Sequence, residues 1–375
     1  MINMYRRFCA IIIPFLCIAF SSCIEGYNPD VSDYENLLVV DGLLTDQPVD
    51  HFVYLSRSYP YDENSGGDPV SGAVVIIQDD AGGIVYLDEA DPGSYMLKDG
   101  KLEIRPGREY QLIIEIPGGG HYESGYEVLK SPGSLDSVYY EIKEGEPEIT
   151  GYAEDGIQIY FDAKGEVGSG GYYQWTFEEN WEYTVPYATG AKFRCWEGTN
   201  SSNIHILSSR GFEGDLMQRQ KLQFISFSNY KLNINYTILV KQYGLNGSTF
   251  EFYNALETLM EEPRTVFGQI PYSLYGNIDN VDDPDEPVLG FFQVSGVQEK
   301  RIFIERSDLP DKIRIATGNE GCIASDAPDY SISFTWYRII QPGGVVFWAN
   351  RLDCTDCTRT GSNVRPAFWS MIDGG

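Results

Sequence analysis

Three features of the sequence predict an all-β chain of two β-sandwich domains, the second larger and carrying one inserted helix. Aromatic residues make up 14 % of the chain and include 27 tyrosines, side chains that fit a pleated, half-buried surface. Turn formers are frequent, with 39 Gly and 19 Pro, and they recur at short spacing between alternating apolar runs. Helical periodicity with start and stop signals stands out near residues 248–262. Two domains also suit a mature chain of about 350 residues.

At the N-terminus, Arg6 and Arg7 precede the apolar run Cys9–Phe20 (CAIIIPFLCIAF), which has the length of a secretion signal and falls short of a membrane span. The run ends in the small residues Ser21 and Ser22 directly before Cys23. This is the pattern of a bacterial lipobox. Residues 1–22 are then a lipoprotein signal peptide, and the Cys23 thiol carries a diacylglycerol that anchors the chain to the bilayer without crossing it. Ordinary cleavage that leaves Cys23 as a thiol is the other reading. Residues 23–36 form a polar tether.

The first domain is expected over 37–130. LLVVDGLL opens it, HFVYLSRSY follows, and further alternating strands are separated by Gly, Pro and Asp turns, as in a small sandwich. Residues 131–375 continue with short strands (YYQWTFEENWEYTV, NIHILSS, KLQFISFSNY), and the runs 165–171 and 197–203 read as hairpin loops. Within this domain Tyr236–Tyr243 alternates as a strand. A helix follows, with Ser248 as N-cap, Glu251 as its capping-box partner and Pro263 as its stop. Phe252, Leu256, Leu259 and Met260 give that helix an apolar face. An acidic, turn-rich stretch leads to two more strands, Val288–Val294 and Arg301–Glu305. The aromatic clusters Tyr172, Tyr173, Trp175, Phe177 and Trp181, and Trp336, Tyr337, Phe347 and Trp348, are read as core because alternation puts them on one strand face.

Charge narrows the partners. Without residues 1–22, which hold two of the 27 basic residues and none of the 55 acidic ones, the net charge is 25 − 55 = −30. Such a chain repels phosphate backbones, so no nucleic-acid partner is expected. Cys195, Cys322, Cys354 and Cys357 remain besides Cys23, an even number that favours disulfides in an exported chain. Of three possible pairings we expect Cys354–Cys357 with Cys195–Cys322. A single CxxC and three histidines make a poor zinc site.

The chain holds no GxSxG elbow, HExxH or P-loop, and His51, His121 and His205 are far apart in sequence. Ser228–Lys231 fits SxxK but sits in a strand-like run, without the helix that this chemistry needs. Neither an enzymatic activity nor a cofactor is expected. The stretch with Asp279, Asp282, Asp283 and Asp285 offers hard oxygen ligands, yet its spacing fails the calcium-loop pattern, so no metal is expected there.

Two resemblances add to this reading. Residues 72–77, 92–95 and 106–114 resemble the carboxypeptidase-regulatory, transthyretin-like module, which implies a small sandwich without catalytic residues. The lipobox, the LVVDGLLTD opening, PVSGA with PGSY, the FEFYNALETL helix, YGNIDN with EPVLGFFQVS, and CTDC with RPAFW together resemble a Bacteroidetes lipoprotein family, domain-of-unknown-function family 4249. The resemblance implies an outer-membrane lipoprotein whose gene lies beside a TonB-dependent receptor, and hence an accessory role in nutrient uptake as a ligand-capturing or capping component. It supplies no catalytic residues. In that setting Glu25, Asp30, Asp33 and Glu35 read either as a cell-surface export signal or as a solvated spacer. A surface adhesin or scaffold is the alternative function, and a hydrolase is a further one. The longest non-repetitive loop, Gln269–Pro287, is the expected binding loop, with Tyr272, Tyr275, Asn277, Asp279, Asp282 and Asp283 along it.

Overall fold

The computed structural model describes residues 36–58, 67–147, 153–166, 171–261, 274, 276–326, 335–340 and 343–371. Among these the chain is mainly β, and one α-helix, Gly247–Glu261, interrupts the strands. Two buried cores mark two sandwiches.

In the first sandwich one sheet runs Leu289–Ser295, Leu38–Thr45, His51–Arg57, Ser94–Leu97 and Asp88–Asp91. The other runs Ile278–Asn280, His121–Ser124, Glu109–Glu115, Val74–Asp79 and Ile84–Tyr86. Strand alternation buries Leu38, Val40 and Leu44 of one sheet in one core with Val75, Ile77, Leu112 and Ile114 of the other. Two strands arrive from far along the chain. Leu289–Ser295 pairs in parallel with Leu38–Thr45, and Ile278–Asn280 pairs antiparallel with His121–Ser124. Residues 278–295 therefore complete a sandwich whose other strands come from 37–130. Gly290 marks the close approach: its φ is +92°, and a Cβ there would sit 1.9 Å from the Val40 carbonyl oxygen.

The second sandwich has a three-stranded sheet, Ser134–Pro147, Ala153–Lys164 and Leu216–Ser226. Its other sheet runs Arg194–Asn200, Tyr172–Thr184, Asn235–Leu245 and Val297–Glu305. Neither expected hairpin loop joins a hairpin. The strands flanking 165–171 lie in different sheets, and Arg194–Asn200 and His205–Ser208 are successive pieces paired with the same strand, Tyr172–Thr184. Tyr173, Trp175, Phe177 and Trp181 are buried, the core role their spacing suggested, whereas Tyr337 is exposed.

The chain passes between the sandwiches at 130–133, through the helix after Leu245, and again at Gly296. These passages fasten to one another. The Gly296 amide donates to the Lys130 carbonyl (2.9 Å), and the Gly244 amide donates to the Gly296 carbonyl (3.1 Å). A Cβ on Gly244 would lie 2.1 Å from the Ser131 carbonyl oxygen, so a side chain there would push the passages apart.

The helix begins one residue before the expected cap. Ser248 lies inside it, and its hydroxyl donates to Glu127 (3.4 Å). Pro263, the expected stop, lies outside the described residues. Phe252 packs on Phe291, 4.8 Å between ring centroids, and the Tyr253 hydroxyl donates to Gln293 (2.8 Å), so this face rests on the Leu289–Ser295 strand. Met260, expected on the apolar face, is 61 % exposed.

Glu127 is the polar hub of this junction. It is buried and also accepts from the side-chain amides of Asn246 (2.8 Å) and Asn277 (2.9 Å). Its place beside the first helical turn suits a carboxylate, since the free amides there carry partial positive charge. Burial still pushes its pKa above the usual carboxylate range. With a raised folded-state pKa, its stabilising contribution is complete below the ordinary carboxylate value and is lost as pH rises through the raised one. Glu127→Ala leaves these donors without their acceptor and is expected to cost about 2–3 kcal/mol. Urea unfolding should show a larger loss in acid than at neutral pH.

Candidate functional site

Much of the expected binding loop is built structure. Tyr272 and Tyr275 lie outside the described residues. The Asn277 side chain accepts from the Phe292 amide and donates to the Phe292 carbonyl, both at 2.9 Å, and so ties the two sheets of the first sandwich together. Asp279 is the exposed middle residue of Ile278–Asn280, opposite Glu123. The Asn280 side chain accepts from the Asp282 amide (2.9 Å) and the Asp283 amide (3.1 Å), closing a turn of the kind asparagine favours. The Asp282 carboxylate accepts from the His121 amide (3.1 Å). The result is a fixed, acidic sheet edge exposing Asp279, Asp282, Asp283 and Asp285. Among the described residues no group of His, Cys, Asp or Glu is placed to hold a metal ion.

The candidate catalytic side chains are committed elsewhere. His51 Nε2 lies 2.9 Å from Thr45 Oγ1, and burial lowers its pKa. His205 packs beside Phe177, and burial lowers its pKa too. His121 Nε2 sits 3.1 Å from Glu123 on the acidic edge. Within the SxxK run, Ser228 donates to Glu154 (2.9 Å), whereas Lys231 reaches the buried Glu179 (2.7 Å). Tyr236 donates to the same carboxylate (2.7 Å), and Lys231 lies over the Trp181 ring at 4.6 Å. The serine and the lysine therefore serve two separate networks.

The disulfides build a different site. All four cysteines pair, but as Cys195–Cys357 and Cys322–Cys354, with Cα separations of 5.7 and 5.8 Å. The expected Cys354–Cys357 and Cys195–Cys322 pairs are not formed. The reason is local. Thr355 N donates to Leu352 O, and Asp356 caps the short 3-10 turn Cys357–Arg359 by accepting from Thr358 N (3.1 Å). This turn places Cys357 in the second core beside Cys195, while Cys354 faces the outer segment that carries Cys322. Tyr183 donates to the Cys357 carbonyl (2.6 Å), and Trp196 exchanges backbone hydrogen bonds with Ser362 (2.8 and 2.9 Å).

Around this pinned end opens a groove of about 440 Å³, whose walls include Tyr187, Lys192, Arg338, Leu352, Asp356 and Arg359. Tyr187 is held at both ends: its amide donates to the Cys354 carbonyl (3.0 Å) and its hydroxyl to the Cys322 carbonyl (3.1 Å). Lys192 Nζ lies 2.6 Å from Asp356, and mainly for that reason the Asp356 carboxyl is held down to about 2. Arg338 and Arg359 have no ion-pair partner among the described residues. Sequence reasoning passed over these cations, which are spread from 192 to 359 with no spacing that connects them.

The family model described as Domain of unknown function (DUF4249) matches residues 24–301. The match covers the first sandwich and the second as far as the Val297–Glu305 strand; Arg338, Arg359 and three of the four disulfide cysteines lie beyond it. No curated protein matches the chain.

Proposed function

This chain belongs to the DUF4249 family, and from that premise we propose that it is a lipid-anchored outer-membrane protein serving TonB-dependent nutrient uptake, as a ligand-capturing or receptor-capping component. The observation that carries the reading is the run from Arg6 to Cys23: a basic start, an apolar core and two serines directly before the cysteine. No helix among the described residues is long and apolar enough to cross a membrane. The receptor partner follows from the family resemblance. The acidic edge around Asp279 supports it as a contact surface, because its charges are held by a hydrogen-bonded turn and need little ordering on binding.

Affinity pull-down from detergent-solubilised membranes tests the reading, with co-purification of an outer-membrane receptor as the expected result. Replacing Asp279, Asp282 and Asp283 together by Ala should change stability by no more than about 1 kcal/mol, since the carboxylates are exposed. Recovery of the receptor should fall several-fold, in proportion to the lost rim charge. Recovery of the protein without any receptor would count against uptake and for a surface scaffold.

A further inference from the structure

We propose that the groove beside the Cys322–Cys354 disulfide binds a small anionic molecule, whose carboxylate or phosphate group is held by Arg338 and Arg359. The inference rests on the ligand-capturing half of the function proposed above and names the chemistry of the cargo.

Acidic residues outnumber basic ones 55 to 27 in this chain, so a cation has many carboxylates to pair with. Some pair, as Arg219 does with Glu141, Lys231 with Glu179 and Lys241 with Glu178 at 2.6–2.7 Å, while others spread over the surface, such as Lys98 and Lys221, form no ion pair among the described residues. In the groove two guanidiniums lack such a partner among the described residues. Asp356 is the acidic residue lining the groove, and it is already engaged by Lys192, the Thr358 amide and the Thr358 hydroxyl (2.6 Å). Among the described lining residues, three cations against one carboxylate leave the walls with two positive charges. A planar guanidinium fork matches a carboxylate or phosphate in a way that an ammonium does not.

The net negative charge of the chain opposes an approaching anion, but it acts from a distance. At physiological salt the screening length is about 8 Å, so remote carboxylates fade while groups in contact do not. The groove volume, about 440 Å³, lies in the range of small-molecule sites and exceeds the need of a bare ion. Leu352 and the Tyr187 ring, which packs edge-on to Phe347 at 5.9 Å, give the body of the ligand an apolar wall. The disulfides hold the walls in place before binding, which lowers the ordering cost.

Isothermal titration calorimetry on the mature full-length protein in detergent tests the proposal, with citrate, glucose 6-phosphate and glucose as probes. Binding of citrate or of glucose 6-phosphate is expected, with none of glucose, and the anion that binds tells carboxylate from phosphate. Arg338→Gln with Arg359→Gln should weaken binding by roughly a hundredfold, about tenfold for each charged hydrogen-bonding group removed. Asp356→Asn keeps the capping acceptor but frees Lys192, so it should tighten binding several-fold. Silence from both anions, or equal binding by the double arginine variant with an unchanged thermal transition, would overturn the proposal. Loss of anion binding with the receptor still recovered removes the cargo class and leaves the uptake reading standing. Anion binding without a receptor does the reverse.

Discussion

Replacing Cys195 and Cys357 together by Ser is expected to lower stability by about 5 kcal/mol, near the upper end for a single disulfide. The bond joins residues 162 apart in sequence, so without it the unfolded chain regains the freedom of a very long loop. The Cys322–Cys354 bond spans 32 residues, and the same loop-entropy argument gives it about 4 kcal/mol. The order of the two effects follows from separation alone. Urea unfolding of the two double-serine variants beside the native protein measures both costs, and a larger loss from the shorter loop would reject the loop-entropy account. The longer bond also holds the wall of the groove. Without it the C-terminal segment keeps the Tyr183 contact with Cys357 O and the Trp196–Ser362 bridge, so anion binding should weaken rather than vanish.

The contrast between these bonds shows where sequence reasoning stops. Four cysteines in an exported chain say that disulfides form, but three pairings satisfy that statement equally. The choice is made by the turn at Leu352–Arg359, whose cap and backbone hydrogen bonds send Cys354 and Cys357 to different neighbours. The β character, the Gly247–Glu261 helix and the buried face of Tyr173, Trp175 and Phe177 were legible because strand and helix periods are local properties of the chain. The parallel pairing of Leu38–Thr45 with Leu289–Ser295 was not, since nothing in either strand identifies a partner some 250 residues away. Ile278–Asn280 was hidden for another reason. Three residues are too few to show alternation, and the asparagines and aspartates around them read as a loop. The cationic groove was invisible in sequence because only the fold brings Lys192, Arg338 and Arg359 to one place.

Trp175→Ala is expected to cost about 4–5 kcal/mol, because it removes a packed side chain and also breaks a polar link to the passage between the sandwiches. The indole is buried in the second core, stacked on Phe161 at 4.6 Å and tilted against Tyr173 at 6.2 Å. Emptying a site of that size typically costs about 3–5 kcal/mol. Its Nε1 donates to the Gln242 side-chain oxygen (2.8 Å), and Gln242 is itself fully buried. The same Gln242 donates through its amide nitrogen to the carbonyls of Pro132 and Ser134, where the chain leaves the first sandwich. The tryptophan therefore sets the orientation of the amide that fastens the 130–133 passage. Trp175→Phe separates the two contributions, since it keeps an aromatic ring but leaves the Gln242 oxygen unbonded. An unpaired buried acceptor costs about 1–3 kcal/mol, so the Phe variant should lose well under what the Ala variant loses. Circular dichroism during urea unfolding reads both variants without relying on tryptophan emission. Equal losses would mean that the hydrogen bond, and not the packed ring, carries the energy at this site. A loss below 1 kcal/mol for Ala would place Trp175 outside the core that the second sandwich is built on.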